Sequence, residues 1–207
     1  MKDKIKVLIA DDHAIVRIGI RSLLALARDC ELVGQAEDGA EAVALALRLK
    51  PDVVIMDLMM PVKDGVAATT ELHERQPETK VVLLTTFGTS DGIAHALESG
   101  ATGAVLKSCA EAELVTAIRK AAAGESYVSP DIRRQLKINP PVPKLTPRQV
   151  QILDYMTEGK TNKEIAARLD IQLCSANEQI ETIIRKIGAV NRAEAVAIAL
   201  RKHLLKP

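Results

Sequence analysis

The 207 residues carry 28 Lys and Arg against 27 Asp and Glu, a formal net charge of +1, and 47% of them are apolar. That is enough chain for one large domain or two modest ones, with cores that must be aliphatic because Phe87, Tyr127 and Tyr155 are the only aromatics. No apolar run is long enough to cross a bilayer, the charged start is no leader, and the scattered Cys30, Cys109 and Cys174 argue for reduced thiols in a cytoplasm and against a disulfide framework or zinc site.

Charge is unevenly spread along the chain. Residues 1–122 hold 14 basic against 18 acidic side chains, residues 123–144 hold 4 against 2, and residues 145–207 hold 10 against 7. An acidic first part and a mildly basic last part predict two modules with different partners.

In the first module, strand-like runs alternate with helical patterns. Ile5 to Ala10, Leu32 to Ala36, Val53 to Met56, Val81 to Leu84 and Ala104 to Leu106 read as strands. Ile15 to Leu26, Ala40 to Leu49, Val66 to Leu72, Ile93 to Leu97 and Ala112 to Ala122 place apolar residues at helical spacing. This alternation predicts a five-stranded, parallel, doubly wound α/β sheet with helices on both faces. Such sheets set their sites at the carboxyl ends of strands, where strand order reverses.

Those strand ends carry chemistry. The first strand ends in Asp11-Asp12, the third in Asp57, the fourth in Thr85-Thr86 and the fifth in Lys107. Singly, most have bland explanations: Asp11 or Asp12 can cap the next helix, Thr85 suits a strand, and Lys107 can be a solvated surface lysine. Asp57 follows four buried-type apolar residues, where a carboxylate is costly unless it has a partner. Three close anions repel unless a cation sits among them. Their hard oxygens favour Mg²⁺ (or Mn²⁺), which shares its coordination readily with a phosphate. Asp57 is then the nucleophile for an acyl phosphate, with Thr85 and Lys107 receiving the phosphoryl oxygens.

Asp11-Asp12, Asp57 with Pro61 and Gly65 beyond it, Thr85 and Lys107 together resemble the receiver domain of a two-component response regulator. The resemblance implies phosphoryl transfer from the phosphohistidine of a sensor histidine kinase. It also implies Mg²⁺ held by Asp12, Asp57 and the backbone carbonyl of Met59, with Asp11 assisting through water. Self-phosphorylation and autodephosphorylation are the only catalysis it implies. Two positions depart from the pattern: Ala104 stands where receivers usually carry an aromatic, and Ser108 where they usually carry proline. A phosphatase with an aspartyl nucleophile normally needs an acid two residues on, and Met59 stands there.

Residues 123–144 read as a linker. Gly124 ends the fifth helix, Ser129-Pro130 opens a short helix over Asp131 to Leu136, and Asn139-Pro140-Pro141-Val142-Pro143 forms a semi-rigid spacer.

Residues 145–207 read as a small all-α unit of four helices. Thr146-Pro147-Arg148-Gln149 and Thr161-Asn162-Lys163-Glu164 are capping boxes, opening helices that run to Gly159 and about Leu169. A third helix spans about Leu173 to Ile187, and Asn191 opens a fourth that continues to about Leu204. The second and third form a helix-turn-helix pattern. Ala176, Ile180, Ile183, Ile184 and Ile187 face inward, leaving Asn177, Glu178, Glu181, Thr182 and Arg185 outward for a major groove. Such a face is otherwise simply solvated.

Leu145-Thr146-Pro147-Arg148, the run Glu158 to Ala166, and Asn191 to Val196 resemble the LuxR-type DNA-binding domain. With the receiver, the whole chain is similar to the NarL/FixJ class of response regulator. That implies a cytoplasmic, DNA-binding transcription regulator, homodimeric when active, with half-sites about 34 Å apart. Lys160, Lys163, Arg185, Lys186 and Arg192 are the expected phosphate contacts, with Thr161 and Asn162 beside them at the DNA surface. Asn177 and Glu178 stand where the family commonly has lysine and another residue before histidine, and Gln151 where it often has glutamate. Acids near a polyanion forfeit phosphate attraction but can read cytosine amino groups, so the expectation is weak or unusually selective DNA binding. An atypical regulator acting through protein–protein contacts is the alternative.

Overall fold

The computed structural model describes residues 4–86, 90–141, 145–201 and 204. Phe87, Val142, Pro143 and two residues near the expected end of the last helix lie outside them. The chain divides into two compact units, Met1–Pro140 and Pro141–Pro207.

The first unit runs β1 (Ile5–Ala10), α1 (Ala14–Leu26), β2 (Cys30–Ala36), α2 (Gly39–Leu49), β3 (Val53–Asp57), α3 (Gly65–Arg75), β4 (Lys80–Thr85), α4 (Ser90–Glu98), β5 (Gly103–Leu106), α5 (Glu111–Ala122), β6 (Tyr127–Val128) and α6 (Pro130–Ile138). All strand pairs are parallel and the order is β2-β1-β3-β4-β5-β6. Because the order reverses at β1 and β3, the chain leaves these neighbouring strands towards opposite faces and opens a crevice at their carboxyl ends.

The strands are buried on both faces, which is why their sequences read as apolar runs rather than alternations. Within each run the two-residue period sorts side chains between two cores. Val7, Ile9, Val53, Ile55, Val82 and Leu84 pack towards Leu24, Leu114 and Ile118. Leu8, Ala10, Val54, Met56, Val81 and Leu83 pack towards Val43, Leu72 and Ile93.

Two helix starts are fixed by acids. Asp38 accepts hydrogen bonds from the N–H groups of Ala40 and Glu41 at 2.7 and 2.9 Å, and Asp64 accepts one from Ala67 at 2.8 Å. At the start of α3, a side chain on Gly65 has no room. A Cβ there would lie 2.1 Å from the carbonyl oxygen of Asp57. The glycine lets its N–H reach the Leu58 carbonyl at 2.9 Å and closes the loop after β3.

Six strands are present among the described residues, not the expected five. The extra one, β6, is two residues long and sits in the stretch expected to be linker. It pairs Gly103 with Tyr127 and Ala104 with Val128 at the edge of the sheet. A two-residue strand carries no periodicity, so its sequence has nothing to announce it. The short helix expected at Asp131–Leu136 forms as α6, with the Ser129 hydroxyl accepting from the Ile132 N–H. It packs into the first unit: Ile132 is fully buried in the same core as Ala104 and Leu106, with Val128 and Leu136 against it.

The second unit contains α7 (Pro147–Thr157), α8 (Asn162–Arg168), α9 (Leu173–Lys186) and α10 (Arg192–Arg201). Both expected capping boxes close, each with reciprocal hydrogen bonds between cap and third helical residue. The core gathers Ile152, Leu153, Met156, Ile165, Leu169, Ile180, Ile183, Ile187, Ala195 and Ala199.

Ile132→Ala removes a fully enclosed side chain and should lower the stability of the first unit by about 2–5 kcal/mol. Urea unfolding followed by circular dichroism measures it; a loss near zero would mean that α6 is an appendage.

Candidate functional site

Of the residues expected at the strand ends, Asp11, Asp12, Asp57 and Lys107 meet at the crevice between β1 and β3. Asp11 directly follows β1 and its N–H continues the ladder to the Ala36 carbonyl at 3.2 Å. Asp57 is the last residue of β3. Both are almost wholly enclosed, at 1% and 4% exposure. Lys107 follows β5, and its Nζ lies 2.8 Å from Asp11 Oδ2 and 2.8 Å from Asp57 Oδ2. One ammonium therefore bridges two buried carboxylates. Thr85 ends β4 and is buried, and its carbonyl accepts the Lys107 N–H at 2.6 Å. This joins the threonine and the lysine through the backbone.

Burial pushes the Asp57 carboxyl above the ordinary aspartate range, and the Asp11 charge adds to the rise. The Lys107 ammonium and the N–H of Met59 act in the opposite direction without cancelling it. Burial by itself pulls Lys107 down, but the two carboxylates outweigh it and hold the ammonium above its usual value. The pair is thus an ionised lysine facing a carboxylate that is reluctant to be alone.

Asp12 lies nearer solvent. Its Oδ1 is 2.7 Å from His13 Nδ1, and the same nitrogen is 3.2 Å from Asp11 Oδ1. Asp11, Asp12, His13 and Asp57 each offer a ligand atom, all within 4.8 Å of one another. Asp11 Oδ2 is buried and paired with Lys107 Nζ at 2.8 Å. An acidic pocket of this make-up fits a divalent cation.

Two contributors were not singled out from sequence. His13 adjoins the acid pair. Arg17, one helical turn into α1, donates from Nη1 to the Asp11 carbonyl at 2.7 Å and forms an ion pair with Glu37, bracing the turn that carries the acids. The signal was their spacing after Asp11-Asp12, and periodicity alone does not weigh it. Ala104 is fully buried, and the position that departs from the receiver pattern is closed over by β6 and α6.

The second unit places its expected residues in two groups. Lys163, Asn177, Glu178, Glu181 and Arg185 are exposed, with Thr182 half-buried on the same helix. Ala176, Ile180, Ile183 and Ile187 are buried and Ile184 is half-buried, as the helical spacing predicts. The other group has internal duties. The Thr161 hydroxyl serves the α8 cap, and Arg192 donates to Asn162 Oδ1 at 2.9 Å and to the Lys160 carbonyl. Asn162 in turn donates to Asn177 Oδ1 at 2.8 Å, Lys160 lies 4.0 Å from Glu158, and Lys186 donates to Gln149 at 3.1 Å. Burial pulls Arg192 below the usual guanidinium range. Arg192 thus acts first as a brace between α8 and α10.

Two family models match the chain. Residues 7–119 match the response regulator receiver domain, and residues 143–199 match the luxR family of bacterial regulatory proteins. The chain is 37% identical over 207 residues to the response regulator protein VraR of Staphylococcus epidermidis, covering 98% of this chain and 99% of that one. It is also 37% identical over 209 residues to the transcriptional regulatory protein LiaR of Bacillus subtilis, covering 97% and 99%. Among solved structures, the two-component response regulator RcsB in complex with DNA matches with a TM-score of 0.69 at 26% identity, covering 96% of this chain and 98% of that one.

Removing the ammonium should expose the electrostatics of the pocket. In Lys107→Met, measured without divalent ions, two buried carboxylates lose their shared cation, a loss of about 3–5 kcal/mol at neutral pH. The folded-state value of Asp57 is already raised, so the folded state binds the extra proton. Without the ammonium that value rises further, so stability of the variant relative to the parent should recover as pH falls through the variant's higher value and level off once the parent's own raised value is passed. Urea unfolding across pH 4–8 checks it; a pH-independent difference would contradict the assignment.

Proposed function

The chain belongs to the two-component response regulators of the NarL/FixJ class, and we propose that it is a cytoplasmic transcription regulator switched by phosphorylation of Asp57. The observation that carries the reading is the Asp57 carboxylate, enclosed at the end of β3 and 2.8 Å from the Lys107 ammonium. A sensor histidine kinase supplies the phosphoryl group. An Asp57 oxygen attacks phosphorus, the bond from phosphorus to the kinase imidazole breaks, the acyl phosphate forms, and the departing imidazole keeps a proton taken from solvent.

Asp11, Asp12, Asp57 and the Met59 carbonyl would hold Mg²⁺ (or Mn²⁺), which neutralises phosphoryl charge and orients the oxygens. Lys107 Nζ, already between Asp11 and Asp57, turns from carboxylate to phosphoryl oxygen as charge arrives there. The Thr85 hydroxyl takes another of those oxygens. Because Thr85 and Lys107 share a backbone hydrogen bond, drawing in the threonine also moves the end of β5. Coupling of this type amounts to about 1–3 kcal/mol, enough to shift a two-state receiver several-fold. Beyond this step the chain needs no catalytic turnover of a substrate.

The second unit binds DNA as a homodimer, with α9 in the major groove. The exposed Lys163 and Arg185 are the phosphate contacts supported best, and Asn177, Glu178, Glu181 and Thr182 face base edges. The phosphoacceptor module ends with α6, and the spacer is confined to the prolines after Asn139.

Glu178 and Glu181 on the exposed face favour a second reading, a regulator that works through protein contacts. Selection from random DNA, with and without phosphorylation, decides between them. An enriched motif supports groove recognition, and no bound sequence at low salt supports the protein partner.

Asp57→Asn should abolish labelling by radiolabelled acetyl phosphate in Mg²⁺, read by acid-stable gel autoradiography. Label retained elsewhere on the chain would contradict the assignment. For Lys163→Ala, fluorescence anisotropy at several salt concentrations should show the slope of log affinity against log salt shallower by about 0.9, with the same loss on every sequence.

A further inference from the structure

We propose that the second unit reads G·C base pairs, and that Asn177 recognises guanine because Arg192 and Asn162 fix its amide with only the N–H donors left to present. The inference rests on the reading of α9 as the element that enters the major groove, and assigns that helix a class of base pair.

An asparagine in a major groove ordinarily reads adenine: its Nδ2 donates to N7 while its Oδ1 accepts from the N6 amino group. That pairing needs both ends of the amide free. In this protein one end is already used, since Asn162 Nδ2 donates to Asn177 Oδ1 at 2.8 Å. Asn162 is itself held, because Arg192 Nη1 donates to its Oδ1 at 2.9 Å. Arg192 Nη2 donates to the Lys160 carbonyl, which anchors the guanidinium.

The chemistry of these groups decides the polarity of the chain they form. A guanidinium carries donors only, so the atom of Asn162 that meets it must be the oxygen. The other end of that amide is an NH₂, again a donor only, so the atom of Asn177 that meets it must also be the oxygen. Turning either amide round would set donor against donor and lose a hydrogen bond. One cation on α10 thus dictates the direction of two amides, through Asn162 on α8 to Asn177 on α9.

What Asn177 has left is Nδ2. The residue is exposed on α9, and this nitrogen makes no hydrogen bond among the described residues. On guanine a donor-only group finds two acceptors side by side, N7 and O6; on adenine it finds N7 beside a competing amino group. Glu178 and Glu181, exposed on the same helix, are acceptors only and match the N4 amino group of cytosine. The donor and the acceptors on α9 therefore select the two halves of one base pair. Asn177 is the specificity-determining residue, and Asn162 and Arg192 are positioning residues that act through it.

The test is selection of bound duplexes from random DNA by the full chain, with acetyl phosphate and Mg²⁺ present. The parent should enrich G·C pairs. Asn177→Ala should lose the preference at one position, which marks the base it reads, and in the parent guanine should exceed adenine there about tenfold. Asn162→Asp keeps the size of the side chain but offers acceptors only, one oxygen to Arg192 and the other to Asn177 Nδ2. The Asn177 amide then turns round and presents Oδ1, so the preference at the marked position should pass to a base with an amino group, cytosine or adenine. Asn162→Ala removes the constraint and should bring guanine and adenine to comparable binding. Each readout is a ratio between bases, so a uniform loss of affinity does not imitate it. Adenine at the marked position in the parent, or guanine retained there in Asn162→Asp, would overturn the proposal while leaving DNA binding in place. A motif unchanged by Asn177→Ala would do the same. No enriched sequence for the parent at low salt would remove the DNA reading and this inference with it.

Discussion

One ammonium between two buried carboxylates is the constraint on which the first unit depends. Lys107 reaches Asp11 and Asp57 at the same distance, 2.8 Å. Without it, two anions would share an enclosed crevice and at least one would be driven to protonate. With it, the Asp57 carboxyl is partly desolvated and adjacent to a positive charge, which the proposed mechanism hands to a phosphoryl oxygen. A buried ion triad is weak evidence of stability, because desolvation offsets much of its attraction. Its value here is that it stores an imbalance: net negative charge in a tight space, open to whichever further cation or charged group enters.

Placing those three side chains needs most of the sheet. Asp11, Asp57 and Lys107 come from three strands, and the register of β1 on β3 and of β3 on β4 sets how far each strand end projects. A one-residue slip would reverse every side chain in a strand. The two aliphatic cores forbid this, since Ile9 and Ile55 belong to one and Leu8 and Val54 to the other. Precision at the site is therefore inherited from burial far from it. Gly65 shows the same dependence at short range: its missing Cβ lets the chain after β3 fold back against the Asp57 carbonyl, so Asp57 ends a strand whose exit loop is already closed.

What was legible follows from which signals are redundant. The five longer strands and their helices repeat a pattern, so each supports the others, and the strand-end acids, threonine and lysine stood out because four separate ends agreed. β6 was not legible because two residues have no period, and α6 read as part of a linker because nothing local reveals that Ile132 will be enclosed by β5 and α4. Arg17 and His13 were missed for another reason. Each makes a contact determined by a turn, Arg17 to the Asp11 carbonyl and His13 to two carboxylates, and turns leave little trace in a hydrophobicity pattern. In the second unit, spacing sorted α9 into buried and outward faces correctly, yet could not show that Arg192 and Asn162 would be drawn into a hydrogen-bonded brace with Asn177.

That brace narrows how the second unit can meet DNA. A charge held by internal hydrogen bonds must give up those partners before it can neutralise a phosphate, so Arg192, half-buried against Lys160 and Asn162, is a poor source of salt-dependent affinity. The cations left at the surface of α8 and α9 are few, and Glu178 and Glu181 stand beside them. With the non-specific term reduced, discrimination has to come from hydrogen bonds to base edges, where a carboxylate accepts from cytosine and is repelled elsewhere. In the proposed binding mode the hydrogen bond from Asn162 already orients Asn177, which would lower the ordering cost of one base contact while the acids would raise the penalty for a wrong sequence. On that proposal, the residues that would weaken attraction to DNA in general are the ones that would make attraction to a particular sequence selective.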